Sequence, residues 1–128
     1  MKILLDTHTF IWYITDSPQL SQNAKQLIEN ENTEKLLSLA SVWEMGIKHS
    51  IGKLNFSRPF MEFIKEQLVI TNIGLLGIDF EHIEVITTLP LHHRDPFDRI
   101  IIAQAILEGI PVIGADGMFD AYGITRFW

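Results

Sequence analysis

Short apolar runs alternate with amphipathic stretches along the whole chain, and this alternation limits its possible folds more than any other feature. "KILL" (2–5) reads as a strand closed by Asp6. A helix containing Phe10, Ile11 and Trp12 follows, and "LSQNAKQLIEN" places Ser21 as a cap ahead of Ala24, Leu27 and Ile28 at helical spacing. "KLLSLA" (35–40) is a second strand, with helix resuming at Ser41. Pro59 marks another helix start, with Phe60, Phe63, Ile64 and Leu68 on one face. "IGLLGI" (73–78) is a third strand, and Asp79 opens the short helix after it. A long helix is expected from Pro96 to Glu108, stopped by Gly109. "PVIGA" (111–115) and "ITRFW" (124–128) supply a fourth and a short fifth strand. Such an order implies βαβ units and a parallel sheet covered on both faces, an α/β fold.

The chain has 128 residues, the usual size of one compact domain, and shows no linker, repeat or low-complexity tract, so residues 1–128 are expected to form a single domain. Without cysteine there is no disulfide, Cys-ligated zinc or iron–sulfur cluster. The first apolar run ends at Asp6, too short for a signal peptide or a membrane span, so a cytoplasmic protein is expected. The formal net charge of −6 argues against nucleic-acid binding by basic surface alone. Two bound Mg²⁺ would bring it to about −2 (−6 + 4).

In parallel sheets, ligands collect beyond the carboxyl ends of the strands. Asp6 follows the first strand, Glu44 lies in the first turn of the helix after the second, Asp116 follows the fourth, and Asp98 lies in the first turn of the helix leading into the fourth. Each also has a structural reading. Asp6 could cap the first helix. Glu44 could close an S-x-x-E capping box with Ser41. Asp116 could be a turn residue. Asp95-Pro96 reads as cap followed by proline at the first helical position, leaving Asp98 one turn inside. Taken together, four carboxylates on one rim repel unless protons or a cation neutralise them. A hard divalent ion, Mg²⁺ or Mn²⁺, suits such oxygen donors and can promote phosphoryl displacement.

Other signals are weaker. Residues 46–53 resemble a P-loop but carry Leu54 where its hydroxyl residue belongs. His92 and His93 match no H-E-x-x-H spacing and are expected at the surface or in a capping role. The Trp and Phe residues are expected in the core. Lys48, four residues after Glu44, is either an ion-pair partner or a phosphate contact.

"LLDTHTFIW", "SVWEMGIKHSIGKL", "HHRDPFDRIIIAQAILEGIPVI" and "ADGMFDAYGITRFW" together resemble the PIN-domain family, in particular the VapC-like toxins of type II toxin–antitoxin systems. The resemblance implies a three-layer α/β/α fold around a parallel sheet of four to five strands. It also implies a metal-dependent endoribonuclease, a homodimer and a cognate antitoxin. Asp6, Glu44, Asp98 and Asp116 match the family's four acids. Asp6 and Asp98 would be the principal Mg²⁺ or Mn²⁺ ligands, with Glu44 and Asp116 completing the set directly or through water. Lys48, Arg94 and Arg99 could contact RNA phosphates. Family members of this kind usually carry Thr or Ser two residues before the last Asp, where this chain has Gly114. Two rival readings are a non-catalytic binding module, with the acids as caps, and a haloacid-dehalogenase-type phosphatase with Asp6 as nucleophile. The latter wants an Asp at the position of His8.

Overall fold

The computed structural model describes residues 1–128. Five parallel strands form one sheet in the order β3-β2-β1-β4-β5: β1 (Lys2–Leu5), β2 (Glu34–Ser38), β3 (Gly74–Leu76), β4 (Val112–Ile113) and β5 (Arg126–Phe127). Six α-helices accompany them: α1 (Thr7–Ile14), α2 (Gln22–Glu29), α3 (Leu39–Ser50), α4 (Phe60–Ile70), α5 (Phe80–Thr88) and α6 (Pro96–Glu108). A 3₁₀ helix spans Gly117–Tyr122. The expected α/β architecture is therefore present.

Period-two alternation in β1 divides its side chains between two cores. Ile3 and Leu5 join Phe10, Ile28, Leu37, Met45 and Ile64 on one face of the sheet. Leu4 joins Ile101, Ile102, Ala105, Val112 and Phe119 on the other. Because both faces are covered, the central strands run apolar and buried from Ile3 to Leu5 and from Val112 to Ile113. The first polar side chain after β1 is Asp6.

Chain order proceeds outward from β1 to β2 and β3, then returns past β1 to β4 and β5. The direction reverses between β1 and β4, where a crevice forms at the strands' carboxyl ends. Leu5 pairs with Ile113 at that point, and the Asp6 amide donates to the Ile113 carbonyl at 3.0 Å.

The second strand is shorter than its apolar run suggests. It ends at Ser38, whose Oγ accepts from the Ala40 amide at 3.0 Å and caps α3. The expected cap at Ser41 is thus incorrect: Ser41 lies inside α3, fully buried, and its Oγ accepts from Thr7 Oγ1 at 2.8 Å. Leu39 and Ala40 extend the hydrophobic pattern into the helix, so the pattern alone does not mark the boundary. The third, fourth and fifth strands are also shorter than 73–78, 111–115 and 124–128.

Candidate metal centre

Asp6 occupies the N-cap position of α1, yet its side chain makes no capping hydrogen bond. It is 5% exposed. Burial pushes its carboxyl up to about 6, the charges of Glu44 and Asp116 add to the rise, and the Thr7 amide and Lys48 oppose it. A buried carboxylate with no capping work, facing two further acids, is a functional candidate.

Starting α3 at Leu39 places Glu44 in the second turn, where it cannot reach the cap, so the capping-box reading does not hold. Glu44 is buried instead. Its Oε2 lies 3.1 Å from Lys48 Nζ, while Oε1 is buried with no hydrogen-bond partner. Leaving a carboxylate oxygen so placed is costly unless something binds it.

Asp95 caps α6: its Oδ1 accepts from the amides of Phe97 at 2.9 Å and Asp98 at 3.0 Å, with Pro96 at the first helical position. Asp98, one turn inside, is free of that task. Its carboxyl is raised to about 7, first by burial, then by the charges of Asp6, Asp95 and Glu44, against His93, which lowers it. Asp116 lies beyond β4, 44% exposed in its side chain. One oxygen accepts from the Met118 amide at 2.9 Å and opens the 3₁₀ helix; the other faces His93 at 3.5 Å. The turn role and a place on the rim therefore coexist in one side chain.

His93 was not foreseen as a site residue. Its Nε2 lies 2.8 Å from Asp98 Oδ2, but out of line for a hydrogen bond. With Asp98 and Asp116 it forms a group whose donor atoms lie within 4.8 Å of one another. The Asp95 amide donates to its Nδ1 at 3.4 Å, which favours the proton on Nε2, toward the two carboxylates. The one sequence signal is its position two residues before the cap Asp95, on the loop that delivers Asp98. His92 is exposed and packs edge-on against Tyr122.

Arg99 is not available as a phosphate contact. Its terminal nitrogens donate to the carbonyls of Ile86, Leu89, Pro90 and His93, holding the loop between α5 and α6. Arg94 is exposed, and Lys48 is engaged with Glu44. Phe10 and Phe119 are fully buried in the two cores, and Phe56, Phe60, Phe63, Phe127 and Trp128 pack against one of them, as expected. Exceptions include Trp43, 57% exposed and meeting Phe97 edge-on, and Trp12, partly exposed beside Asp6. The largest concavity, about 600 Å³, is walled by apolar residues such as Ala105, Ile106 and Ile124 and carries no carboxylate.

Gly114 sits at the tight point of the crevice. A Cβ there would fall 3.2 Å from Asp6 Cβ and 3.6 Å from Phe119 Cε2. In this chain, a side chain at that position would press on the first acid.

The donor set is carboxylate oxygens with one imidazole, which fits a hard divalent cation and also tolerates Mn²⁺. The orphaned Glu44 oxygen and the raised carboxyls of Asp6 and Asp98 express the same deficit of positive charge.

Comparison with known proteins bears on the family and the fold. The PIN domain family model matches residues 3–124. No curated protein matches in sequence. Among solved structures, the chain is similar to DNA-bound VapBC from Salmonella typhimurium, with TM-score 0.71 and 17% identity, covering 99% of this chain and 97% of that one. It is similar to VapBC2 from Rickettsia felis bound to a promoter DNA fragment, with TM-score 0.70 and 16% identity over 99% and 98%. FitAcB from Neisseria gonorrhoeae gives TM-score 0.68 and 20% identity over 98% and 96%. At these identities the likeness is one of fold.

Proposed function

The chain belongs to the PIN-domain family, and from that premise and the acid cluster we propose that it is a Mg²⁺- or Mn²⁺-dependent endoribonuclease, the toxin of a type II toxin–antitoxin pair. The observation that carries the reading is the buried Glu44 Oε1, unpartnered and close enough to Asp6 and Asp98 for its charge to raise both. Asp6 and Asp98 would hold the cation, with Glu44 and Asp116 bound directly or through water. When bound, the cation supplies charge opposite the phosphoryl oxygens and activates water for in-line attack.

The chain's own groups do the rest. Lys48 engages Glu44 through Oε2 and leaves the buried Oε1 without a partner. His93 lies with Nε2 2.8 Å from Asp98 and 3.5 Å from Asp116, where a charged imidazole would offset part of their repulsion. Arg94, exposed on the same loop, would contact an RNA phosphate. No helix of the chain is long and apolar enough to cross a membrane, which accords with action in the cytoplasm. An antitoxin partner belongs to the same reading, because the similar structures are VapBC and FitAB complexes and one is a toxin–antitoxin complex; a homodimer is part of the proposal.

The test is purified protein on a panel of RNAs with Mg²⁺, Mn²⁺ or EDTA, beside Asp6→Asn. Cleavage that needs metal and Asp6 supports the proposal. Metal-independent cleavage, or cleavage unaffected by Asp6→Asn, opposes it. A non-catalytic module would bind no Mg²⁺ in calorimetry, and a covalent aspartyl-phosphate at Asp6 would point to a phosphatase.

A further inference from the structure

A cavity of about 260 Å³ opens directly beside the carboxylates, lined by Asp6, His8, Trp12, Ala115 and Asp116. Ile11, Tyr13 and Ile14 of the same helix pack on the core, whereas Trp12 is turned to this cavity. The His8 and Trp12 rings stand 5.6 Å apart with planes tilted by 39°, and Trp128 braces Trp12 edge-on at 5.7 Å. His8 is exposed. Trp12 is partly exposed, held edge-on by Trp128 and open toward the acid cluster, so its indole offers an aromatic surface at the site.

We propose that this cavity is a nucleobase subsite: a single-stranded nucleotide adjoining the scissile phosphate lays its base against Trp12 and His8. The inference rests on the nuclease reading above and names the substrate class of that site. Asp6 and Asp116 belong both to the cavity wall and to the acid cluster, so a base on the aromatic pair lies one nucleotide from a phosphate at the carboxylates. The volume is below the range of pockets that enclose whole ligands and suits a single heterocycle. A base within a duplex has no free face to offer, so the subsite selects single strands or loops. Stacking is tolerant of base identity, because every base has a π-face. An arginine of a protein partner also suits aromatic and acidic walls. Once a cation has neutralised Asp6 and Asp116, the guanidinium loses its counter-charge and the base does not.

The experiment uses the full chain with Mg²⁺ and short single-stranded RNAs carrying one abasic nucleotide at each position around the cut. Affinity is read by fluorescence anisotropy and cleavage separately. For the wild type, one abasic position should weaken binding about tenfold. Trp12→Ala should weaken binding of intact RNA by about the same factor, without adding to the abasic loss, and Trp12→Phe should restore most of it. If Trp12→Ala fails to fold, His8→Ala, at an exposed position, carries the same cycle with a smaller loss. Penalties that add, or affinity insensitive to every abasic position, overturn the subsite. So does base-independent RNA binding together with arginine amide binding that Trp12→Ala abolishes, which assigns the cavity to a cationic protein side chain. Metal-dependent cleavage with no abasic penalty sinks the subsite alone. Base-dependent binding without cleavage sinks the nuclease reading and leaves the subsite. Absence of both cleavage and RNA binding sinks the two together.

Discussion

Replacing Asp6 by Asn should stabilise the metal-free protein above neutrality while removing its metal affinity. The folded carboxyl titrates at about 6 against an ordinary value of 3.8, a rise of about two pH units. Each unit is worth about 1.4 kcal/mol, so the ionised Asp6 costs about 3 kcal/mol at pH 8. The sign follows from proton binding. The folded state holds the proton more tightly, so this contribution to stability is fully present below about pH 3.8. It is lost as pH rises through about 6. Thermal unfolding in EDTA should therefore show wild-type stability falling between pH 4 and 7 relative to Asp6→Asn. At pH 8 the variant should melt roughly 10 °C higher. Saturating Mg²⁺ should reverse the order, because only the wild type gains binding free energy. A wild-type curve in EDTA that rises or stays level with Asp6→Asn over that range would refute the electrostatic account of the cluster.

Asp95→Ala should lower stability by about 1 kcal/mol and leave metal binding intact, as measured by denaturant melts and calorimetry, since Asp95 Oδ1 accepts both capping bonds of α6. Gly114→Thr should displace Asp6 through the 3.2 Å contact and weaken Mn²⁺ affinity about tenfold in calorimetric titration; unchanged affinity would show that the crevice gives way elsewhere. Arg99→Ala should cost about 2 kcal/mol of stability in denaturant melts, because four carbonyls lose a charged donor. The salt dependence of RNA binding should not change with it, whereas a phosphate contact would reduce that slope.

What could be read from the chain alone divides along physical lines. The parallel sheet was legible because β1 and β4 at its centre carry unbroken buried apolar runs, Ile3–Leu5 and Val112–Ile113, separated by amphipathic segments. Asp95 as cap was legible because Asp-Pro at a helix start is a local signature with a local cause. Asp98 stood out as the acid one turn beyond a cap already filled. The start of α3 was not legible: Ser38 and Ser41 are equally good caps, and Leu39 and Ala40 continue the strand's apolar run into the helix. That one error also lent Glu44 a capping role it does not have. His93 was missed because its partner Asp116 lies across the crevice and the loop has no periodicity to interpret. Arg99 misled because its acceptors are backbone carbonyls, which no residue type announces. Trp12 sits beside core residues in sequence and only the fold turns it to the rim.

The central claim is that the acids at the β1–β4 crevice hold the cation that cleaves RNA. Its most direct test is the Mn²⁺-dependent rate of single-stranded RNA cleavage by Asp98→Asn beside wild type, both purified free of other nucleases. The account predicts a loss of about 100-fold or more, since a principal ligand opposite the phosphoryl oxygens is removed. Full metal-dependent cleavage by Asp98→Asn would contradict it.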